Sequence, residues 1–231
     1  ICEGLVGSEM CIRDRFANHI IRGVSDEAKT KLPQADRIGN TYVDLLSAST
    51  GNGSANFPQD NDGVIRRAPT AIYFDGADHV YPSLVMSAVI DILGIKKDGG
   101  FDYDFENNLL NLIDSTDTIV RTIPIDDNGR MYVNYFGKFQ TFYYLPYSYC
   151  MDPEMLPPDY WEGKVALVGA SLPGLMDLRN TPVQETFAGV EIHANVMHSI
   201  LQNDFVVVKD NVSTFYSCLL YTSPSPRDLR K

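Results

Sequence analysis

Basic residues are the first shortage: 19 Lys and Arg stand against 30 Asp and Glu, for a formal net charge of −11. Nucleic acid would repel such a chain, because binding it depends on Lys and Arg replacing condensed counterions. A nucleic-acid partner is therefore not expected. Long apolar runs are also missing. No window approaches the roughly 18 consecutive apolar residues of a membrane helix, and the first residues lack the basic segment followed by an apolar run that marks a signal peptide. Cysteine is scarce. Of Cys2, Cys11, Cys150 and Cys218, three lie near the ends, so neither a disulfide framework nor a Cys-based zinc site is expected. What is there is an ordinary globular profile, 44% hydrophobic and 21% charged, long enough for one large domain or two small ones.

The two ends differ from the interior. Residues 1–15, ICEGLVGSEMCIRDR, and residues 217–231, SCLLYTSPSPRDLRK, show neither helical nor strand periodicity. Both strings closely resemble translated sequencing-adapter read-through. That resemblance implies artefactual tails at residues 1–15 and 212–231 and a native segment at 16–211, cut on both sides.

Within the interior, residues 16–49 carry weak helical character, and residues 50–63 form a polar loop rich in turn formers. Residues 64–74 read as a strand, with Pro69 suggesting an edge or a bulge. Pro82 is expected to open a helix stopped by Gly94, with Leu84, Val85, Ala88, Val89 and Ile92 as its apolar stripe. Short strands follow near 109–113 and 119–125. Asp126-Asp127-Asn128-Gly129 is a strong turn signal, which predicts a hairpin over 123–135. Residues 142–149 are aromatic and strand-like. Residues 165–168 form a solid apolar run, as expected of a strand buried on both faces. After a loop, residues 189–202 read as a helix with Val190, Ala194, Met197 and Leu201 on its buried side. Strand, loop and helix in that order point to an α/β fold, a mixed β-sheet flanked by helices.

Several motifs fail on inspection. Gly51-Asn52-Gly53 begins like a dinucleotide fingerprint, but the third glycine is missing and a strand follows where a helix is required. Asp60-Asn61-Asp62-Gly63 hints at a calcium loop, yet Pro58 and Pro69 fall on its first and twelfth ligand positions. Gly169-Ala170-Ser171-Leu172-Pro173 nearly matches a nucleophile elbow, but Pro173 stands where a small residue is needed. His193 and His198, five apart on one helix, point about 140° apart and do not readily share a metal. No catalytic residue, metal site or cofactor is expected.

A cluster of polar groups does stand out. Ser171, Asp177, Arg179 and Thr181 lie in the loop after the apolar run, and Glu191, His193 and Asn195 lie in the first turns of the next helix. Ligands of α/β sheets tend to bind beyond the carboxyl ends of strands, and helix N-termini attract anions. The same groups could equally form an internal network that pins the loop. These seven residues are the candidate ligand site.

Four stretches carry a family resemblance. They are Asn61-Asp62-Gly63-Val64-Ile65-Arg66-Arg67-Ala68-Pro69; Tyr81-Pro82-Ser83-Leu84; Ile123-Pro124 through Asn134-Tyr135-Phe136-Gly137; and Gly163-Lys164-Val165-Ala166-Leu167-Val168-Gly169-Ala170-Ser171 continuing through Thr181-Pro182 to Gly189-Val190-Glu191-Ile192-His193-Ala194-Asn195. Together, over residues 50–205, they resemble the type-2 CHASE domain, a sensory domain associated with cyclases and histidine kinases. The resemblance implies an incomplete single sensor domain whose N-terminal half and flanking membrane helices are absent. It implies an extracytoplasmic, periplasmic or extracellular place in a bacterial cytoplasmic-membrane protein. It further implies a small-molecule or protein signal as partner, and it allows a homodimer in the complete receptor. Two other readings compete: a soluble serine-hydrolase-like enzyme using Ser171 and His193, and an extracellular protein-interaction module with no small ligand.

Overall fold

Helix signals in this chain are local and strong. In the computed structural model, which describes residues 19–36, 45, 48–152, 154–171 and 177–208, two helices start at a serine cap, whereas the longest starts at Ala188 without a side-chain cap. Residues 1–15 and 212–231, expected to be tails, lie outside the described part. Helix α1 (Asp26–Lys31) starts at Ser25, whose Oγ accepts the Ala28 N–H at 3.2 Å. Helix α2 (Leu84–Leu93) starts at Ser83, whose Oγ accepts the Met86 N–H, and stops at Gly94 with a left-handed φ of 66°. Pro82 therefore ends a strand and does not open the helix. The Leu84 N–H is taken by the Ser54 carbonyl at 2.8 Å. Gly53 lies so close to this helix start that a Cβ there would meet the Ser83 carbonyl oxygen at 2.5 Å. Close packing explains the Gly51-Asn52-Gly53 motif.

Among the described residues the strands form four small sheets. β1 (Gln34–Ala35) runs parallel to β3 (Ala71–Phe74), which pairs antiparallel with β4 (His79–Pro82), so this sheet is mixed. β2 (Arg67–Pro69) pairs antiparallel with β8 (Arg130–Tyr132). β5 (Phe101–Asp104), β6 (Leu109–Ile113) and β7 (Ile119–Pro124) form an antiparallel meander. β9 (Leu178–Arg179) pairs antiparallel with β10 (Phe187–Ala188), and α4 (Gly189–Gln202) follows at once. The fold is α/β, with mixed strand pairing flanked by helices, and no closed barrel forms among the described residues.

One core joins these pieces. Leu110, Leu112 and Ile123 of the meander, Val85, Met86 and Val89 of α2, and Ile192, Val196 and Ile200 of α4 are all buried in it with Ile65, Met131 and Phe187. Each large apolar side chain removed from water contributes about 1.5–3 kcal/mol, so this cluster is the main source of cohesion. Helices α2 and α4 pack on one another.

Several local expectations are corrected. The strand expected over 64–74 is two strands, β2 and β3, broken at Thr70. Thr70 is buried, and its hydroxyl donates to the Gly129 carbonyl at 2.7 Å and meets the Tyr103 hydroxyl at 2.9 Å. The turn at Asp126–Gly129 forms, with the Gly129 N–H donating to the Asp126 carbonyl at 2.9 Å, but no hairpin results. β7 pairs with β6 and β8 with β2, so the arms of the turn enter different sheets. Residues 142–149 are not a strand; a short exposed helix, α3 (Tyr147–Met151), occupies their end. On α2 the buried set is Val85, Met86, Ser87, Val89 and Ile90, while Leu84 and Ile92 are exposed. This helix is apolar on nearly every side, so periodicity could not select its inner face.

The largest correction concerns residues 165–168. They form no strand, and Val168 is 83% exposed. Four apolar residues suit a strand buried on both faces, but neighbours do the burying, and no described strand pairs with this segment.

The turn glycine gives a direct test. Gly129 has φ +66°, and a Cβ there would lie 2.6 Å from Leu32 Cδ2; Gly63 has φ +79° with open space around it. Gly63→Ala is expected to cost only the left-handed strain of about 1–2 kcal/mol, and Gly129→Ala more than that. Urea unfolding midpoints at unchanged m-value compare the two; equal losses would show that the Leu32 contact contributes nothing.

Candidate functional site

Helix α4 carries a polar stripe at four-residue spacing: Glu191, Asn195 and Ser199, all buried. Such a stripe tolerates burial only when its groups are hydrogen-bonded. Glu191 Oε1 accepts the Thr141 N–H at 2.9 Å and the Phe142 N–H at 3.4 Å, and its Oε2 accepts the Gln140 N–H and the Tyr144 hydroxyl, each at 3.0 Å. Burial, and next the bond to Glu191, push the Tyr144 hydroxyl pKa up. Asn195 Oδ1 accepts the Phe136 N–H at 3.0 Å, and its amide donates to the Glu191 carbonyl at 2.7 Å. Ser199 donates to the Asn195 carbonyl at 3.0 Å. The helix thus grips the loop over residues 136–144. The expected inner side of this helix, Val190, Ala194, Met197 and Leu201, is corrected: Ile192, Val196, Met197 and Ile200 are its buried apolar residues.

The other candidates lie around the same helix end without converging on one point. The Gly189 N–H donates to the Asp177 carbonyl at 2.9 Å. Arg179 Nε lies 3.6 Å from Asp177 Oδ1, both groups being partly exposed, so the pair contributes at most about 1 kcal/mol. Arg179 pairs with Asp177 and has no ion pair to Glu191 among the described residues. Thr181 closes a turn: its hydroxyl donates to the Gln184 carbonyl at 2.8 Å and accepts the Gln184 N–H at 3.2 Å. Gln184 Oε1 then accepts the Phe139 N–H at 3.2 Å, linking that turn to the 136–144 loop. Ser171 is half-buried in a segment with no strand before it, so the strand–turn–helix of a nucleophile elbow is not formed there.

His193 faces a different neighbour. It is buried, its ring lies 4.4 Å from the Phe57 ring at a tilt of 43°, and its Nδ1 has no hydrogen-bond partner among the described residues. Burial lowers its pKa, outweighing the opposing effects of the Asp177 carboxylate and of a hydrogen bond with the Ala55 backbone. Three segments therefore meet the first half of α4: the 136–144 loop at Glu191 and Asn195, the Asp177 segment at Gly189, and the Ala55–Phe57 segment at His193. The far end of α4 is fastened too. Arg121 donates to the Ile200 carbonyl at 2.7 Å and to the Leu201 carbonyl at 2.9 Å.

A second polar constellation lies elsewhere, and sequence reasoning missed it as a site. Gln59, Asp60, Asn61, Asp62, Arg66, Arg67 and Arg130 line an open depression of about 490 Å³, which none of the seven candidates lines. Arg66 holds Asp62 at 2.9 and 2.7 Å through both terminal nitrogens. Arg67 bonds Asp60 at 3.1 and 2.6 Å and reaches Asp126 at 3.0 Å. Arg130 meets the same Asp126 oxygen at 2.9 and 2.8 Å. Burial would raise the Asp126 pKa, but bonds from the Arg130 N–H and guanidinium and the Asn128 N–H prevail and lower it. The Arg66 pair, and then the Val64 N–H, lower the Asp62 carboxyl to about 2. The available signal was the pair of acids, Asp60 and Asp62, followed four to seven residues on by the pair of bases, Arg66 and Arg67. Among the described residues no group of His, Cys, Asp and Glu is arranged to hold a metal ion, and no helix is long and apolar enough to cross a membrane.

Comparison with known families identifies the class of domain. The CHASE2 domain family matches residues 9–220, and the chain belongs to that family. It is a family of sensory domains in signalling proteins, typically extracellular and not catalytic. No curated protein and no solved structure matches the chain.

Two measurements test this geometry. Glu191→Ala leaves three backbone N–H groups and the Tyr144 hydroxyl without their acceptor, an expected loss of about 3 kcal/mol or more. Its hydrogen-exchange signature is lost protection at 140–142; a loss spread evenly over the core would refute the grip. The second concerns pH. The folded-state His193 pKa lies below its ordinary value near 6.5, so the unfolded chain takes up the proton first as pH falls. This contribution is fully present above about pH 6.5 and is lost as pH drops below it. His193→Gln is expected to flatten the stability decline between about pH 6.5 and 5, read by urea unfolding at each pH; an unchanged slope would contradict this.

Proposed function

We propose that this domain is the extracytoplasmic input of a bacterial membrane-bound signalling protein whose output is a cyclase or kinase domain. Membership of the CHASE2 family supports the sensory part of this reading. The observation that carries the mechanism is the convergence of three separate segments on the first half of α4. A signal can act only through different affinity for two arrangements of the domain. A solute that engages Asp177, Arg179, Thr181 or the adjoining Ser171 segment would shift the strand pair leading into α4. Glu191, His193 and Asn195 would carry that shift to the 136–144 loop and the Phe57 segment. The first group then supplies ligand contact, and the second supplies coupling.

A second reading is favoured by a different observation. Tyr143, Tyr147, Met151, Trp161, Val165 and Val168, all within residues 143–168, are exposed, and protein interaction surfaces are built from exposed apolar side chains. Under that reading the signal is a protein and not a small solute.

Asp177 and Arg179 are partly exposed, so Asp177→Asn and Arg179→Gln are expected to leave stability within about 0.5 kcal/mol while changing the response of the complete receptor. A response to its signal identical to the parent's in both variants would refute ligand contact at this end of α4. Loss of response in proteins altered only at Val165 and Val168 would favour the protein-signal reading.

A further inference from the structure

The depression beside β2 and the Asp126 turn has a chemistry unlike the rest of this chain. Its lining sets three guanidinium groups against two carboxylates, whereas the chain as a whole carries a net charge of −11. Asp126 lies outside the lining and is saturated, accepting from Arg67, from Arg130 and from two backbone N–H groups. Asp60 is nearly enclosed and accepts from both Arg66 and Arg67. These acids hold the guanidinium planes in place but do not exhaust them. Each guanidinium has five N–H donors. Arg66 Nε and Arg130 Nη1 have no hydrogen-bond partner among the described residues. No lining residue is apolar, so the surface suits a hydrophilic occupant, and a volume of about 490 Å³ falls in the size range of small-ligand sites.

We propose that this depression is a binding site for a small polar oxyanion, a carboxylate or phosphate held by Arg66, Arg67 and Arg130. The fork of a guanidinium matches two oxygens of either group. Asp60 and Asp126 fix the forks in advance, which lowers the ordering cost of binding. The rim offers Gln59, Asn61 and the half-exposed Asp62 to further hydroxyl or ammonium groups on the solute. Asp62 also opposes the anion, because it occupies Arg66 through both terminal nitrogens. The site deepens the sensory reading and rests on it for its biological meaning, but it is separate from the α4 end.

The test titrates the full chain with sodium malate and, separately, with sodium phosphate, each against sodium chloride at matched ionic strength, by calorimetry and thermal shift. Saturable binding of malate or phosphate beyond chloride is expected, and which one saturates distinguishes carboxylate from phosphate. Arg66→Gln, at a 40% exposed side chain, is expected to keep the fold and weaken binding roughly tenfold or more. Asp62→Asn is expected to act in the opposite direction, strengthening binding a few-fold by releasing Arg66. No saturation beyond chloride, or affinity unchanged in both variants, would overturn the site and leave a purely structural ion network. Binding is read on this chain and signalling on the complete receptor, so failure of the site and failure of the sensory reading are distinguishable.

Discussion

Burial of a polar stripe on α4 is the constraint around which this domain is arranged. Glu191, Asn195 and Ser199 share the buried surface of the helix with Ile192, Val196 and Ile200. An ionised carboxylate out of water is costly unless hydrogen bonds replace its hydration. Glu191 has no ion-pair partner among the described residues, so backbone N–H groups of residues 140–142 and the Tyr144 hydroxyl do this work. The 136–144 loop consequently takes its shape from the helix. Gln184, reaching Phe139 from the Thr181 turn, then draws the strand pair before α4 into the same arrangement.

A second organising contact is Asp126. It joins β2 through Arg67 and β8 through Arg130, and it shapes its own turn through the Asn128 and Arg130 N–H groups. Thr70 fastens the other side of that turn at Gly129 and sets the break between β2 and β3. This explains why a strong turn signal does not give a hairpin. The two arms are captured by different sheets, because the side chains around the turn bind outward to β2 and not across to β7. The same arginines and acids create the charged depression, so a structural network and a candidate binding surface share their residues.

Around these polar contacts the apolar core is the common support. The apolar core through α2, α4 and the β5–β7 meander is continuous and resists deformation. The segments meeting the first half of α4 are joined to it by directed hydrogen bonds to Glu191 and Asn195, and Phe57 and Phe139 pack against the core.

The sequence by itself determined the α/β class, the span 189–202 of α4, the Gly94 stop of α2, the strands near 109–113 and 119–125, the turn at Asp126–Gly129 and the CHASE2 resemblance. These rest on spacing, end residues and turn chemistry, which act over a few neighbouring residues and can be read there. Tertiary structure decided the rest. Whether residues 165–168 are covered depends on partners distant in the chain, and so does the face of α2 that turns inward. Glu191 and Asn195 were legible as polar groups at the start of a helix, but their partners in the 136–144 loop lie about fifty residues away. Arg67 and Asp126 are likewise separated by 59 positions. Hydrogen bonds are short and directional, and which distant groups come within their reach is settled only when the chain has folded.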